Sequence, residues 1–147
     1  MTNRTIETKI DIKAPAKRVW EILTRFEDFP QWSRFILSIE GQARPGSRLS
    51  VHLNDGGQAM RLRPTVEASE EGVELRWRGT VGSSFLFTGE HRFHLDPQED
   101  GTTRFTHSET FGGILVPLLW KKLNSRTRQA FNEFDAALCR QSEGVAG

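Results

Sequence analysis

One cysteine, no apolar run as long as a membrane helix needs, and almost no excess of charge of either sign: these shortages narrow what the 147-residue chain can be. Cys139 alone excludes an internal disulfide framework and a cysteine-based zinc site. It has no activating neighbour pattern and reads as an inert thiol. No stretch approaches the ~18 apolar residues of a spanning helix. The opening MTNRTIETKIDIK is polar and lacks the apolar centre of a signal peptide. The formal charge is +1, from 20 basic and 19 acidic side chains, so nothing draws the chain as a whole toward nucleic acid. We expect no nucleic-acid partner, no stable membrane insertion and a cytoplasmic setting.

What is present suits one compact unit spanning residues 1–147. A chain of this length buries about 68–70% of its unfolded surface, enough for a core without covalent staples. Residues 4–13 alternate imperfectly and mark a first strand. Ala14-Pro15 opens a helix, with Val19, Ile22, Leu23 and Phe26 spaced to bury one stripe. Phe29-Pro30-Gln31-Trp32 breaks it and allows a short second helical turn near Trp32. The period then changes to two, predicting strands near 35–41, 47–54, 60–69, 72–79, 86–96 and 103–111. Leu49, Val51, Leu53, Leu62, Val66, Ala68, Val73, Leu75 and Trp77 mark a covered face. Arg61, Arg63, Arg76 and Arg78 on the other face interleave with Glu67, Glu74 and Glu90, which predicts cross-strand ion pairs. From about 114 to 141, Leu115, Leu119, Leu123, Ala130, Phe131, Phe134, Ala137 and Leu138 recur at helical spacing. That long helix is the natural cover for the sheet. Lys121, Lys122, Arg126 and Arg128 read as its solvated face, or as contacts for anionic lipid headgroups during ligand exchange.

Strand parity puts the connections 54–59, 80–84 and 112–113 at one end of the sheet. They are glycine-rich and slight, like lips around an opening. The connections 44–47, 69–72 and 96–101 at the other end are ordinary charged turns. An apolar pocket at the glycine-rich end would be walled by Trp32, Phe35, Trp77, Phe87, Phe111, Leu115 and Leu119.

The stretch GEHRFHLDPQEDGTTRFTHSETF (89–111) places His91 on the apolar face, opposite His107 or Glu109 according to register. Two imidazoles and a carboxylate among phenylalanines admit several readings. They form a closed hydrogen-bonded core network. A bulge turns one histidine to water. Or they line the pocket, as polar anchors for a ligand or with a histidine as general base beside a carboxylate. Two histidines and a carboxylate also match a facial iron triad, but the usual supporting residues are absent, and we expect no metal and no cofactor.

The segments IDIKAPAKRVWEILTRFEDFPQW (10–32), GSRLSV (46–51), LRWRG (75–79), GEHRFHL (89–95) and RFTHSETFGGIL (104–115) resemble the START-like (SRPBCC) helix-grip superfamily. Within it, they are similar to the polyketide cyclase/dehydratase and lipid-transport group. The resemblance implies an α+β helix-grip fold (START/Bet v 1-like). Its curved seven-stranded antiparallel sheet wraps on a long C-terminal helix, with two short helices after strand 1. It further implies a cavity between sheet and last helix for a small hydrophobic molecule such as a lipid, quinone or polyketide. It supplies no catalytic motif. The leading expectation is a binding protein anchored by His91, His107 and Glu109. The alternative is a cyclase or dehydratase with His107 or His91 as base. A monomer and a homodimer are equally compatible with the sequence.

Overall fold

The computed structural model describes residues 3–55 and 57–144. The outer residues of the expected 1–147 unit, and Gly56 of the 54–59 connection, lie outside the described residues. In order the chain forms β1 (Arg4–Ile12), α1 (Ala16–Thr24), a 3-10 turn (Phe26–Asp28), α2 (Phe29–Trp32), β2 (Ile36–Glu40), β3 (Ser50–Asp55) and β4 (Gln58–Leu62). Then follow β5 (Thr65–Glu70), β6 (Glu74–Thr80), β7 (Thr88–Pro97), β8 (Thr103–Gly112) and α3 (Val116–Glu143). This is the expected α+β helix-grip architecture, with two short helices after the first strand and a long last helix packed on antiparallel sheet.

The strand count differs from the expected seven. The single strand expected over 60–69 is two, β4 and β5, separated by Arg63 and Pro64. Proline has no N–H to give a ladder and holds the residue before it extended, so the chain leaves one sheet and enters another there. Among the described residues eight strands therefore form two sheets, a five-stranded one in the order β1-β8-β7-β6-β5 and a three-stranded one in the order β2-β3-β4. The expected start of the third strand at Ser47 fails for a related reason. Residues 46–49 pair across the corner with 64–66, through Leu49 N–H to Pro64 O (2.8 Å) and Val66 N–H to Ser47 O (2.8 Å). A register shift between Val66 and Ala68 makes Glu67 the extra residue of a bulge. Ala68 thereby pairs with Arg76 rather than with an inward residue, contrary to the simple alternation.

The core lies between the sheets and α3. From α1 it takes Val19, Trp20 and Leu23, and from α3 Val116, Ala130, Phe131, Phe134 and Leu138. Pro117 falls in the first turn of α3, where its missing N–H has no intrahelical partner to lose. On the outer face Arg78 pairs with Glu67 (3.1 Å) and Glu90 (2.6 Å), and Glu74 with Arg76 (2.8 Å) and Arg92 (2.6 Å). The expected cross-strand pairing holds for Arg76 and Arg78, whereas Arg61 donates instead to His52 Nε2 (2.7 Å).

The junction of β8 and α3 is built against the β6–β7 loop. Ile114 N–H donates to Phe85 O (3.0 Å) and Leu115 N–H to Leu86 O (3.1 Å). Gly113, at φ +107°, makes this approach possible, because a Cβ there would overlap the Leu86 carbonyl.

Candidate functional site

The β7–β8 ladder sets His91 directly opposite Glu109, and Phe93 opposite His107. His107 is therefore diagonal to His91 on the inward face, and on its other side it faces Thr8 of β1. The Nδ1 of His91 lies 3.1 Å from Glu109 Oε1, and its Nε2 lies 2.7 Å from His107 Nε2. The Nδ1 of His107 lies 2.7 Å from Asp135 Oδ1, and Thr8 Oγ1 donates to Asp135 Oδ2 at 2.5 Å. One continuous chain of contacts thus runs Thr8–Asp135–His107–His91–Glu109, from the base of α3 to the cavity.

Apolar rings enclose the middle of this chain. Phe131 stacks on His107 with centroids 3.7 Å apart and planes 5° from parallel. Phe93 and Phe134 also pack on His107, and Trp77 on His91. The His107 side chain is 0% exposed. Burial drives its basicity well below that of an ordinary imidazole, and the neighbouring His91 pushes it the same way. Burial also raises the Asp135 carboxyl to about 7, against the opposing hydrogen bond from Thr8.

The burial of Asp135 and His107 favours one order of protons along the chain. Each contact from Asp135 to Glu109 needs one proton between its two atoms, so three contacts need three protons. Two neutral imidazoles supply only two. If both carboxyl groups were ionised, one contact would set lone pair against lone pair. The third proton resides most favourably on Asp135, because burial opposes its ionisation and opposes an imidazolium at His107. Asp135 O–H then donates to His107 Nδ1, His107 Nε2–H to His91 Nε2, and His91 Nδ1–H to Glu109 Oε1. Every donor points toward the cavity, and Glu109 is the acceptor at its end. The four groups together carry one negative charge.

Glu109 can take up this position because Gly89 has no side chain. A Cβ on Gly89 would overlap Glu109 Oε2. Gly89→Ala is expected to swing the carboxyl off His91 Nδ1, seen as a changed His91 nitrogen shift in NMR with the fold retained.

A cavity of about 90 Å³ opens beside Glu109. Its exposed wall residues Met60, Thr80 and Val81 set its mouth at the start of the 80–84 connection, whereas Gly112 and Gly113 of the expected 112–113 lip are buried and do not line it. Of the expected wall residues, Phe35, Trp77, Phe87, His91, Glu109 and Phe111 line it. His107 stands behind His91 and does not reach it. Trp32 lies elsewhere, packed on Phe29 (4.8 Å) and Phe134 (5.3 Å) beside a separate groove with Arg34 and Arg140. Leu115 is tied to Leu86 through its backbone, and Leu119 is exposed; neither is in the wall. The sequence reading missed Val51, Leu53, Met60, Leu62, Pro64, Leu123 and Thr127 in the wall, and Asp135 in the polar chain. Asp135 had a signal: it is a carboxylate on the apolar stripe, four residues after Phe131 and three before Leu138.

Known proteins can now be set beside this geometry. A START superfamily protein from Mycobacterium smegmatis superposes with a TM-score of 0.78 at 20% identity, over 97% of this chain and 99% of that one. The Zhui aromatase/cyclase from a Streptomyces species gives 0.78 at 13% identity, over 97% and 94%. Truncated norcoclaurine synthase from Thalictrum flavum gives 0.73 at 10%, over 95% and 93%. At such identities the likeness is one of fold. No curated protein matches the sequence. The model of one family, described as polyketide cyclase/dehydrase and lipid transport, matches residues 3–138. That match spans nearly all of a chain already seen to be a START-like helix-grip, and the protein belongs to this family.

Proposed function

We propose that the chain binds a small, largely apolar molecule in this cavity, held by a hydroxyl or ammonium group that donates to Glu109. The observation that carries this reading is the composition of the wall. It is mostly aliphatic and aromatic, its acidic group is Glu109, and it includes no lysine or arginine among the described residues. A fatty-acid carboxylate or lipid phosphate would lie there without a counter-charge, beside a chain that is already negative. A phenol, an enolic polyketide or a hydroquinone suits the acceptor better than a quinone, which has no donor to offer it.

Native mass spectrometry followed by solvent extraction should release a hydroxyl- or amine-bearing apolar molecule. As a probe, 2-naphthol is expected to quench Trp77 fluorescence and bind at least about tenfold more tightly than 2-naphthoate. Glu109→Leu should remove that preference. Equal binding of phenol and carboxylate, or a preference that survives Glu109→Leu, would overturn the reading.

A second reading is favoured by the proton chain itself. Glu109, the acceptor at the end of the chain, can itself take a proton from a ligand while the donors behind it stay in place, the usual requirement of enolisation or dehydration in a cyclase. In that case Glu109 is the base that meets the substrate, and His91, with both ring nitrogens engaged, orients it. His107, which was expected to share that role, acts only through His91. Chemical change of the extracted molecule on incubation with the protein separates catalysis from carriage.

A further inference from the structure

Large apolar side chains left exposed on a small domain are informative when they gather. Here Val81, Phe85 and Leu86 of the β6–β7 loop, and Ile114, Leu118 and Leu119 at the start of α3, are all exposed. Leu118 is 82% exposed and Phe85 62%. The two segments are fastened together by the hydrogen bonds from Ile114 to Phe85 and from Leu115 to Leu86, so these side chains form one ridge. The loop half of the ridge borders the cavity mouth at Val81.

The two chain segments that build the ridge carry charge of one sign. Between Glu109 and Glu133 the chain has no acidic residue, and between Arg78 and Glu90 it has no charged residue of any kind. Lys121 and Lys122 are exposed and follow Leu118 by three and four positions, on the same side of α3. Arg4 adds a cation over the ring of Trp120, 5.3 Å from its centroid.

We propose that this ridge docks the protein on an anionic lipid surface, with Phe85, Ile114 and Leu118 entering the interface and Lys121 and Lys122 meeting the headgroups. Apolar residues flanked by lysines are the arrangement that binds in the plane of an interface without crossing it. A second copy of the chain fits less well: a two-fold contact through this ridge would set the lysine pairs of the two copies against each other. Docking here would bring the cavity mouth to the membrane. The proposal does not depend on which molecule the cavity takes.

The test is flotation of the full chain with vesicles of phosphatidylcholine alone and with vesicles also containing phosphatidylserine. Binding is expected to the phosphatidylserine vesicles and to weaken as salt rises. Phe85→Ser with Leu118→Asn, both at exposed positions, should lower the partition coefficient about tenfold or more. Lys121→Glu with Lys122→Glu should lower it about tenfold or more on the anionic vesicles. Failure of the unaltered protein to float with either vesicle overturns the proposal, as does binding that Phe85→Ser with Leu118→Asn leaves unchanged. Light scattering that shows a dimer, broken by those same two substitutions, assigns the ridge to a second copy and also overturns it.

Discussion

Replacing Asp135 by leucine is expected to destabilise the fold by about 2–5 kcal/mol, while replacing it by asparagine costs about 1 kcal/mol or less. Leucine fills the space but strips His107 Nδ1 and Thr8 Oγ1 of their buried partner. Asparagine reproduces the protonated acid, its N–H₂ donating to His107 and its oxygen accepting from Thr8. If Asp135 were instead ionised and paired with an imidazolium, asparagine would be nearly as damaging as leucine. Denaturant unfolding of both variants at neutral pH decides between these.

The same pair of variants tests the charge assignment through pH. Asp135 is raised to about 7 in the fold from an ordinary value of 3.8. It therefore contributes stability that is present at low pH and lost as pH rises from about 4 to 7. His107 is lowered well below 6.5. Its contribution has the opposite sense, present above about 6.5 and lost as pH falls and the unfolded chain takes up its proton. Just below pH 6.5 the two slopes therefore oppose each other. Asp135→Asn removes the compensation. Its stability relative to the unaltered protein should fall as pH drops below 6.5, with a slope of at most about 1.4 kcal/mol per pH unit. A constant difference across that range would show that the stored proton is not on Asp135.

Phe131→Ala is expected to cost about 3–5 kcal/mol, the usual range for a phenyl ring removed from a packed interior. The ring is fully buried and lies face to face with His107, with Phe35 (5.7 Å) and His91 (5.3 Å) on its other sides. Its loss opens space behind the polar chain and lets water reach an imidazole whose neutrality depends on being dry. Phe131→Leu, which keeps the chain dry, should recover more than half of the lost stability in thermal unfolding. Equal losses for the two variants would mean that filling volume is not what the ring supplies.

How far these features can be read from sequence depends on which interactions are local. The β7–β8 hairpin was legible because alternation and the 97–101 turn constrain each other, so His91, His107 and Glu109 could be grouped before any fold was known. Register was not: whether His91 faces His107 or Glu109 depends on pairing that the turn alone leaves open by a step. Pro64 was visible, but alternation on both sides of it matched well enough to suggest one strand rather than a corner between sheets. Trp32 was assigned to the wall because it is large and near a helix end, and its true place depends on how α2 packs against Phe134. Asp135 is 28 residues from His107 in sequence and was overlooked among apolar neighbours, although a carboxylate on such a stripe calls for a partner.

The break at Pro64 divides the work of the cavity between two bodies. Thr8, His91, His107 and Glu109 stand on the five-stranded sheet and Asp135 on α3, whereas Val51, Leu53, Met60 and Leu62 belong to β3 and β4. The groups that set proton order thus stand on one sheet and α3, and much of the part that sets shape stands on the other sheet, joined to the first at the 46–49 and 64–66 corner. Changes in the smaller sheet can therefore alter the size of molecule admitted without touching the polar end.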